Sequence, residues 1–273
     1  MTTPTTFTYT PSTLPLYLTI CITLLGSAAG SFLTCLTSRR QSGESILKGR
    51  SHCENCHHLL HFPDLIPVIS YLTHKGRCRY CHAPIPPTCL IAELAGAILY
   101  AATFLRFGLS CNTLMWLIAG TLFLALSLID AAERIIPDSL LLSLTFNRLL
   151  FLTLFHASLR HEIISILTGT LIIPVAMLIL TLIMDKATGK ETMGGGDIKL
   201  IFVFGLYMDW KKMFFMIFIS CVLGLAWIAA RKILHRDQET SDSTIAFGPF
   251  LCIGCLAAVW FGDPLINWYI NLF

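Results

Sequence analysis

Residues 107–129 read FGLSCNTLMWLIAGTLFLALSLI, and the next residue is Asp130. This run without Asp, Glu, Lys or Arg exceeds the about 20 residues an α-helix needs to cross about 30 Å of hydrocarbon. It is one of several. No charged residue precedes Arg39, and further charge-free apolar runs cover 163–184, 213–230 and 243–262. Two more, 89–105 and 139–159, carry one charge each, Glu93 and Arg148. A short apolar segment, 200–208, completes a set of eight.

Composition agrees with that reading. Across 273 residues, hydrophobic types make up 55%, charged types 13%, and the mean hydropathy is +0.72. Soluble domains carry about 25% charged residues, so solvated side chains cannot cover a globule of this size. Disorder, collagen-like repeats, coiled coils and secreted disulfide scaffolds are excluded. A net charge of +3 is too small for a nucleic-acid footprint. The fold class expected is an all-α polytopic membrane protein of about eight transmembrane helices.

The stretch MTTPTTFTYTPSTLP at the N-terminus has no positive charge, so the first apolar run is read as a span and not a signal peptide. Ala28-Ala29-Gly30 is read as a place where helices pack closely. With eight spans and the N-terminus outside, segments 37–88, 130–138, 185–199 and 231–242 face the cytoplasm and hold 14 of the 19 basic residues. That is the asymmetry the positive-inside rule requires. Segment 200–208 is short for a crossing, about half the bilayer core at 1.5 Å per residue. It is kept as a span, because a re-entrant path would put Arg231–Arg236 outside. The expected organisation is 1–36 for the N-terminal tail and first helix, 37–88 for a cytoplasmic domain, and 89–273 for a membrane core.

The one substantial polar region is organised by cysteine. Cys53-Glu-Asn-Cys56 and Cys78-Arg-Tyr-Cys81 are separated by 21 residues. Two such knuckles place four thiolates around one ion at the tetrahedral geometry that suits Zn²⁺. A redox CxxC would sit in a βαβ context that is absent here, and disulfides are disfavoured in the cytoplasm. His52, His57, His58, His61, His74 and His82 crowd the same region and are read as solvated loop residues. The remaining cysteines, Cys21, Cys35, Cys89, Cys111, Cys221, Cys252 and Cys255, are read as small hydrophobes in or beside spans.

A second constellation is acidic. Asp130 ends one apolar run, and Met193-Gly194-Gly195-Gly196-Asp197-Ile198-Lys199 follows another. Ionisable residues at such positions are costly and so are functional candidates. Two carboxylates sharing a site cannot both ionise easily, and one can keep a proton while the other acts as base toward water. Spacing alone leaves open whether Asp130 and Asp197 pair or simply end helices. The three glycines favour a pair, since they permit unusual backbone angles and close approach of an extended peptide. Asp138, after Pro137, reads as a helix start. Asp185, Asp209 and Asp263 read as interfacial charges.

Taken in order, Gly30-Ser-Phe-Leu33, the two CxxC knuckles, Ile66-Pro-Val-Ile-Ser-Tyr-Leu72, Gly76-Arg-Cys-Arg79, Asp130 with Pro137-Asp138, and Gly194-Gly-Gly-Asp197-Ile-Lys199 resemble the type IV prepilin peptidases, also called leader peptidases/N-methyltransferases. The resemblance runs from about residue 26 to Phe247-Gly-Pro-Phe250. It implies a multi-pass enzyme of the bacterial inner (plasma) membrane, with its N-terminus outside and its zinc domain cytoplasmic. Such an enzyme cuts the leader from type IV prepilins and pseudopilins and then methylates the new N-terminus with S-adenosylmethionine. The family's catalytic aspartates map onto Asp130 and Asp197, and its zinc ligands onto Cys53, Cys56, Cys78 and Cys81. Gly194, Gly195 and Gly196, by their backbone freedom, are expected to form the substrate loop beside Asp197. No residue is assigned to the methyl donor, and no nucleic-acid partner is expected. Thr34 stands where the family usually has Asn, and Glu54 where Pro commonly follows the first knuckle cysteine.

On this reading Asp197, near the start of a short helix, is the ionised partner because the helix dipole favours its charge, and Asp130 carries the proton. The zinc is structural, since four thiolates leave no open position for water. The alternatives are a peptidase without methyltransferase activity and, more distantly, a transporter with an intramembrane carboxylate pair, which the lack of an internal repeat disfavours.

Overall fold

The computed structural model describes residues 13–45, 49–155, 159–234 and 245–271. The N-terminal tail before residue 13 and most of the 231–242 segment lie outside the described residues. The helices are α1 (Thr13–Ser42), α2 (Ile69–Thr73), α3 (Pro87–Phe107), α4 (Cys111–Glu133), α5 (Asp138–Phe155), α6 (Leu159–Thr188), α7 (Gly195–Gly205), α8 (Trp210–Leu234) and α9 (Gly248–Ile270), with a 3₁₀ turn at Phe62–Leu65. Among the described residues there is no strand, only the isolated bridges His52–Leu59 and Arg77–Pro84.

Among those residues, six helices are long and apolar enough to cross a bilayer: Leu16–Ser42, Pro87–Phe107, Cys111–Glu133, Ile163–Thr188, Trp210–Ile233 and Gly248–Ile266. Six of the eight expected spans meet that measure among the described residues. Helices form at the other two positions, but α5 carries Asp138 and a buried Arg148, and the 11 residues of α7 extend only about 16 Å. Exposed Leu167, Leu171, Leu180, Phe214, Phe218 and Leu225 on α6 and α8 are side chains suited to hydrocarbon, not water.

The chain divides into two compact units, residues up to Leu128 and residues from Ile129. In the first, α1 and α3 touch backbone to backbone. A Cβ on Gly30 would overlap the Ala92 carbonyl, and one on Gly26 would overlap Gly96 and Tyr100. This is the small-xxx-small contact by which helices associate without a hydrophobic driving force. The close packing expected at Ala28-Ala29-Gly30 is thus made by Gly26 and Gly30. Pro87 opens α3 at a first-turn position that needs no N–H. Gly108, at φ +60, closes it with an N–H to the Phe104 carbonyl.

In the second unit α7 is central, with Leu200, Ile201, Phe204 and Gly205 buried. Gly205 lies against Gly169 and Thr170 of α6, where a side chain would collide with backbone. The ion pair Lys212–Asp263, at 2.8 Å, ties the start of α8 to the far end of α9. Among the seven cysteines outside the knuckles, only Cys252 and Cys255, both on α9, are buried in the protein interior.

Candidate active site and metal centre

The metal centre is assembled from two copies of one turn. In the first, Cys53 N–H donates to the His58 carbonyl (3.0 Å) and His57 N–H to the Cys53 carbonyl (2.8 Å). In the second, Cys78 N–H donates to Ala83 (2.8 Å) and His82 N–H to Cys78 (3.0 Å). His57 and His82, each directly after a second cysteine, both stand at φ +56, a region in which His is enriched among non-glycine residues. These two histidines are therefore turn formers.

All four sulfurs lie within 4.8 Å of one another, and Cys53 and Cys81 Sγ are 3.8 Å apart. Tetrahedral ligation at about 2.3 Å per bond requires sulfurs about 3.8 Å apart, so the cluster could hold a metal ion of that coordination. Around it, Asp64 accepts from Tyr80 Oη and from His61 N–H (3.1 Å each) and pairs with Arg79 at 3.6 Å, and Ser38 donates to Glu54. Both acids are thus engaged in structure.

The acidic constellation lies wholly in the second unit. Asp130, in the last turn of α4, is 5% exposed. Its Oδ2 accepts the backbone N–H of Gly248, the first residue of α9, at 2.9 Å. Asp197 sits in the first turn of α7, outside the six spans, and is partly buried. Its Oδ1 is buried and has no hydrogen-bond partner among the described residues. Burial and the nearby charge of Asp130 push the Asp197 carboxyl up to about 6. The two carboxylates therefore interact. Gly248 supplies Asp130 with the N–H that suits a carboxylate, while Asp197 holds a proton more readily than an ordinary aspartate. At Asp197 desolvation and like charge oppose the helix dipole.

The glycine run also differs from expectation. Gly194 precedes α7 at φ −62 and ψ 137, and none of Gly194, Gly195 and Gly196 has positive φ. Their use is space. Gly196 backs onto Ile136, and nothing lies within 4 Å of a Cβ built on Gly195, which leaves an open backbone edge two residues before Asp197.

Sequence reasoning missed the residues that set the position of α7. Lys199 pairs with Asp138 of α5 at 2.8 Å. At the other end of α7, Arg148 Nε donates to the Leu206 carbonyl at 2.8 Å, Tyr207 Oη donates to the Leu144 carbonyl at 2.7 Å, and Asn147 donates to Tyr207 Oη at 3.2 Å. Arg148 thus caps the carbonyl end of a helix whose amide end carries Asp197, which accounts for a buried cation on α5. The legible signal was a single charge inside an apolar run. Arg148→Met is expected to lower stability by about 1–3 kcal/mol through the unpaired carbonyl, read as a lower Tm in detergent. Arg148→Lys is expected to recover part of the loss.

These features define a class: a helical membrane protein with an interacting carboxylate pair at the ends of two helices and a four-cysteine cluster that could hold a metal ion. Residues 24–107 match the bacterial peptidase A24 N-terminal domain, and residues 116–229 match the type IV leader peptidase family. A prepilin leader peptidase/N-methyltransferase of Aeromonas hydrophila is 33% identical over 231 residues, covering 84% of this chain and 77% of the relative. That of Legionella pneumophila is 31% identical, covering 81% and 76%. That of Pseudomonas aeruginosa is 30% identical over 281 residues, covering 94% and 95%. No solved structure matches the chain. The chain belongs to the type IV leader peptidase family and is an enzyme of the protease class.

Proposed function

We propose that the protein cleaves the leader peptide from type IV prepilins or pseudopilins at the cytoplasmic face of the bacterial inner membrane, and then methylates the new N-terminus using S-adenosylmethionine. The observation that carries the cleavage reading is the interaction of Asp130 with Asp197, one held by the Gly248 N–H and the other pushed up to about 6. Ionised Asp130 takes a proton from a water molecule as that water attacks the scissile carbonyl, and protonated Asp197 donates to the carbonyl oxygen; on collapse Asp130 passes its proton to the leaving amine and Asp197 takes its own back from the hydroxyl. The open backbone at Gly195 receives an extended substrate segment alongside the pair. The excess of Lys and Arg in 37–88, 185–199 and the start of 231–242 supports the cytoplasmic placement of these segments.

Residues 37–88 form the zinc domain on this reading, with Cys53, Cys56, Cys78 and Cys81 as ligands of a structural Zn²⁺. The methylation half rests on the relatives' names and on the matching N-terminal domain. Co-expression with a type IV prepilin, followed by mass spectrometry of the pilin N-terminus, tests both halves. A mature, singly methylated N-terminus is expected. Mature but unmethylated pilin would reduce the function to a peptidase, and uncut prepilin would remove it.

A further inference from the structure

The N-terminal unit contains a cavity of about 700 Å³ whose walls come from α1, the knuckle loops and the start of α3. That volume lies within the range of small-molecule sites, about 300–1,000 Å³. Resting on the methylation reading above, we propose that this cavity is the S-adenosylmethionine site and that Glu93 is the carboxylate facing the donor's sulfonium.

Glu93 is 7% exposed, a depth at which an acidic side chain is rare without a specific purpose. Its Oε2 accepts the Val68 N–H at 2.6 Å. That bond holds Val68 at φ +63, a genuine outlier for a β-branched residue. Strain of this kind persists where the surroundings over-determine the backbone, and it concentrates at ligand sites. The buried carboxylate is thereby fixed at the cavity wall. A sulfonium has no N–H and is recognised by charge alone, which a fixed, desolvated carboxylate supplies.

The rest of the lining suits the rest of the donor. Arg39, whose Nη2 donates to the Gly49 carbonyl, places a guanidinium at the wall for the amino-acid carboxylate, and Glu54, whose Oε1 accepts from Ser38, presents its second carboxylate oxygen to the ammonium. Tyr71, whose hydroxyl donates to the Ile85 carbonyl, offers an aromatic face for adenine. Cys53 and Cys78 also line the cavity, so a metal on the knuckles would shape its wall. With the donor bound, the neutral amine of a new N-terminus attacks the methyl carbon. The N–C bond forms as the C–S bond breaks, sulfur keeps the bonding pair as a thioether, and the surplus proton leaves the nitrogen for water.

The test is calorimetric binding to the full-length protein in lipid nanodiscs, comparing S-adenosylmethionine with S-adenosylhomocysteine, which lacks the sulfonium charge. Glu93→Gln keeps the shape and an acceptor for Val68 N–H but removes the charge. It is expected to weaken S-adenosylmethionine at least tenfold while changing S-adenosylhomocysteine by less than threefold. Thr34→Trp, which fills the cavity from α1, is expected to weaken both at least tenfold. Metal content and Tm equal to the parent protein's show that each variant is folded. Wild-type binding in both variants of a protein that still methylates pilin would place the donor elsewhere, overturning the site and leaving the proposed function intact. A parent protein that cleaves but binds neither compound overturns the site together with the methylation reading. Displacement of the donor by a basic leader peptide with no effect of Glu93→Gln would assign the cavity to substrate and overturn the proposal.

Discussion

Asp130→Asn and Asp197→Asn are each expected to reduce prepilin cleavage by about 10³-fold or more, since a positioned acid or base contributes about 10²–10⁴ and the two act on one water. Because they act as a unit, the double variant is expected to be no worse than the poorer single one. Additive losses would mean that the two carboxylates do not share a step. Stability is expected to move the other way for Asp197. A group whose folded pKa is raised contributes stability that is present at low pH and lost as pH rises through the folded value, here about 6. Asp197→Asn removes that loss, so its Tm at pH 8 is expected to exceed the parent's while activity is gone. The same value fixes the pH dependence. With the proton on Asp197, kcat/KM falls as pH rises above about 6 and approaches tenfold per pH unit. A limb that instead rises through that range would put the ionised role on Asp197 and restore the helix-dipole assignment.

The contacts that divide the proton between the two aspartates lie beyond local reading. The donor to Asp130 is the backbone of Gly248, 118 residues away in sequence, and no window around either aspartate contains it. The spans were legible because hydrocarbon excludes charge, which leaves long uncharged runs that composition alone exposes. Their count was less legible. Runs 139–159 and 200–208 both read as spans, while in the fold Arg148 of the first meets the end of α7 and the second forms an 11-residue helix. The glycines before Asp197 were read for unusual backbone angles and for close approach of a peptide; none has positive φ, and it is their lack of a side chain that leaves the backbone open at Gly195. The cysteine spacing carried its reading furthest, because two knuckles with matched spacing leave few geometries. The repeated residue after each second cysteine, His57 and His82, was available as a turn signal and was read only as loop.

Cys53→Ser or Cys78→Ser is expected to abolish metal retention and methylation while cleavage falls less than tenfold. Structural Zn²⁺ in small domains contributes about 10–16 kcal/mol of apparent binding free energy that is also folding free energy, and segment 37–88 has little else to hold it. Between the end of α1 and the start of α3 its regular structure outside the knuckles is one 3₁₀ turn and the five-residue α2, neither of which contains a buried residue. Losing one thiolate frees the knuckle turn, and with it the Cys53 or Cys78 wall of the cavity. Both aspartates, by contrast, belong to the unit that begins at Ile129, and their fixtures, the Gly248 N–H, the Lys199–Asp138 pair and the Arg148 cap, belong to it as well. Metal content by elemental analysis, donor binding by calorimetry and cleavage by mass spectrometry separate the three quantities on one preparation. A cysteine variant that loses metal yet binds donor normally would disconnect the knuckles from methylation. One that loses cleavage as completely as Asp130→Asn would show that the carboxylate pair depends on the metal centre and that the two units do not act independently.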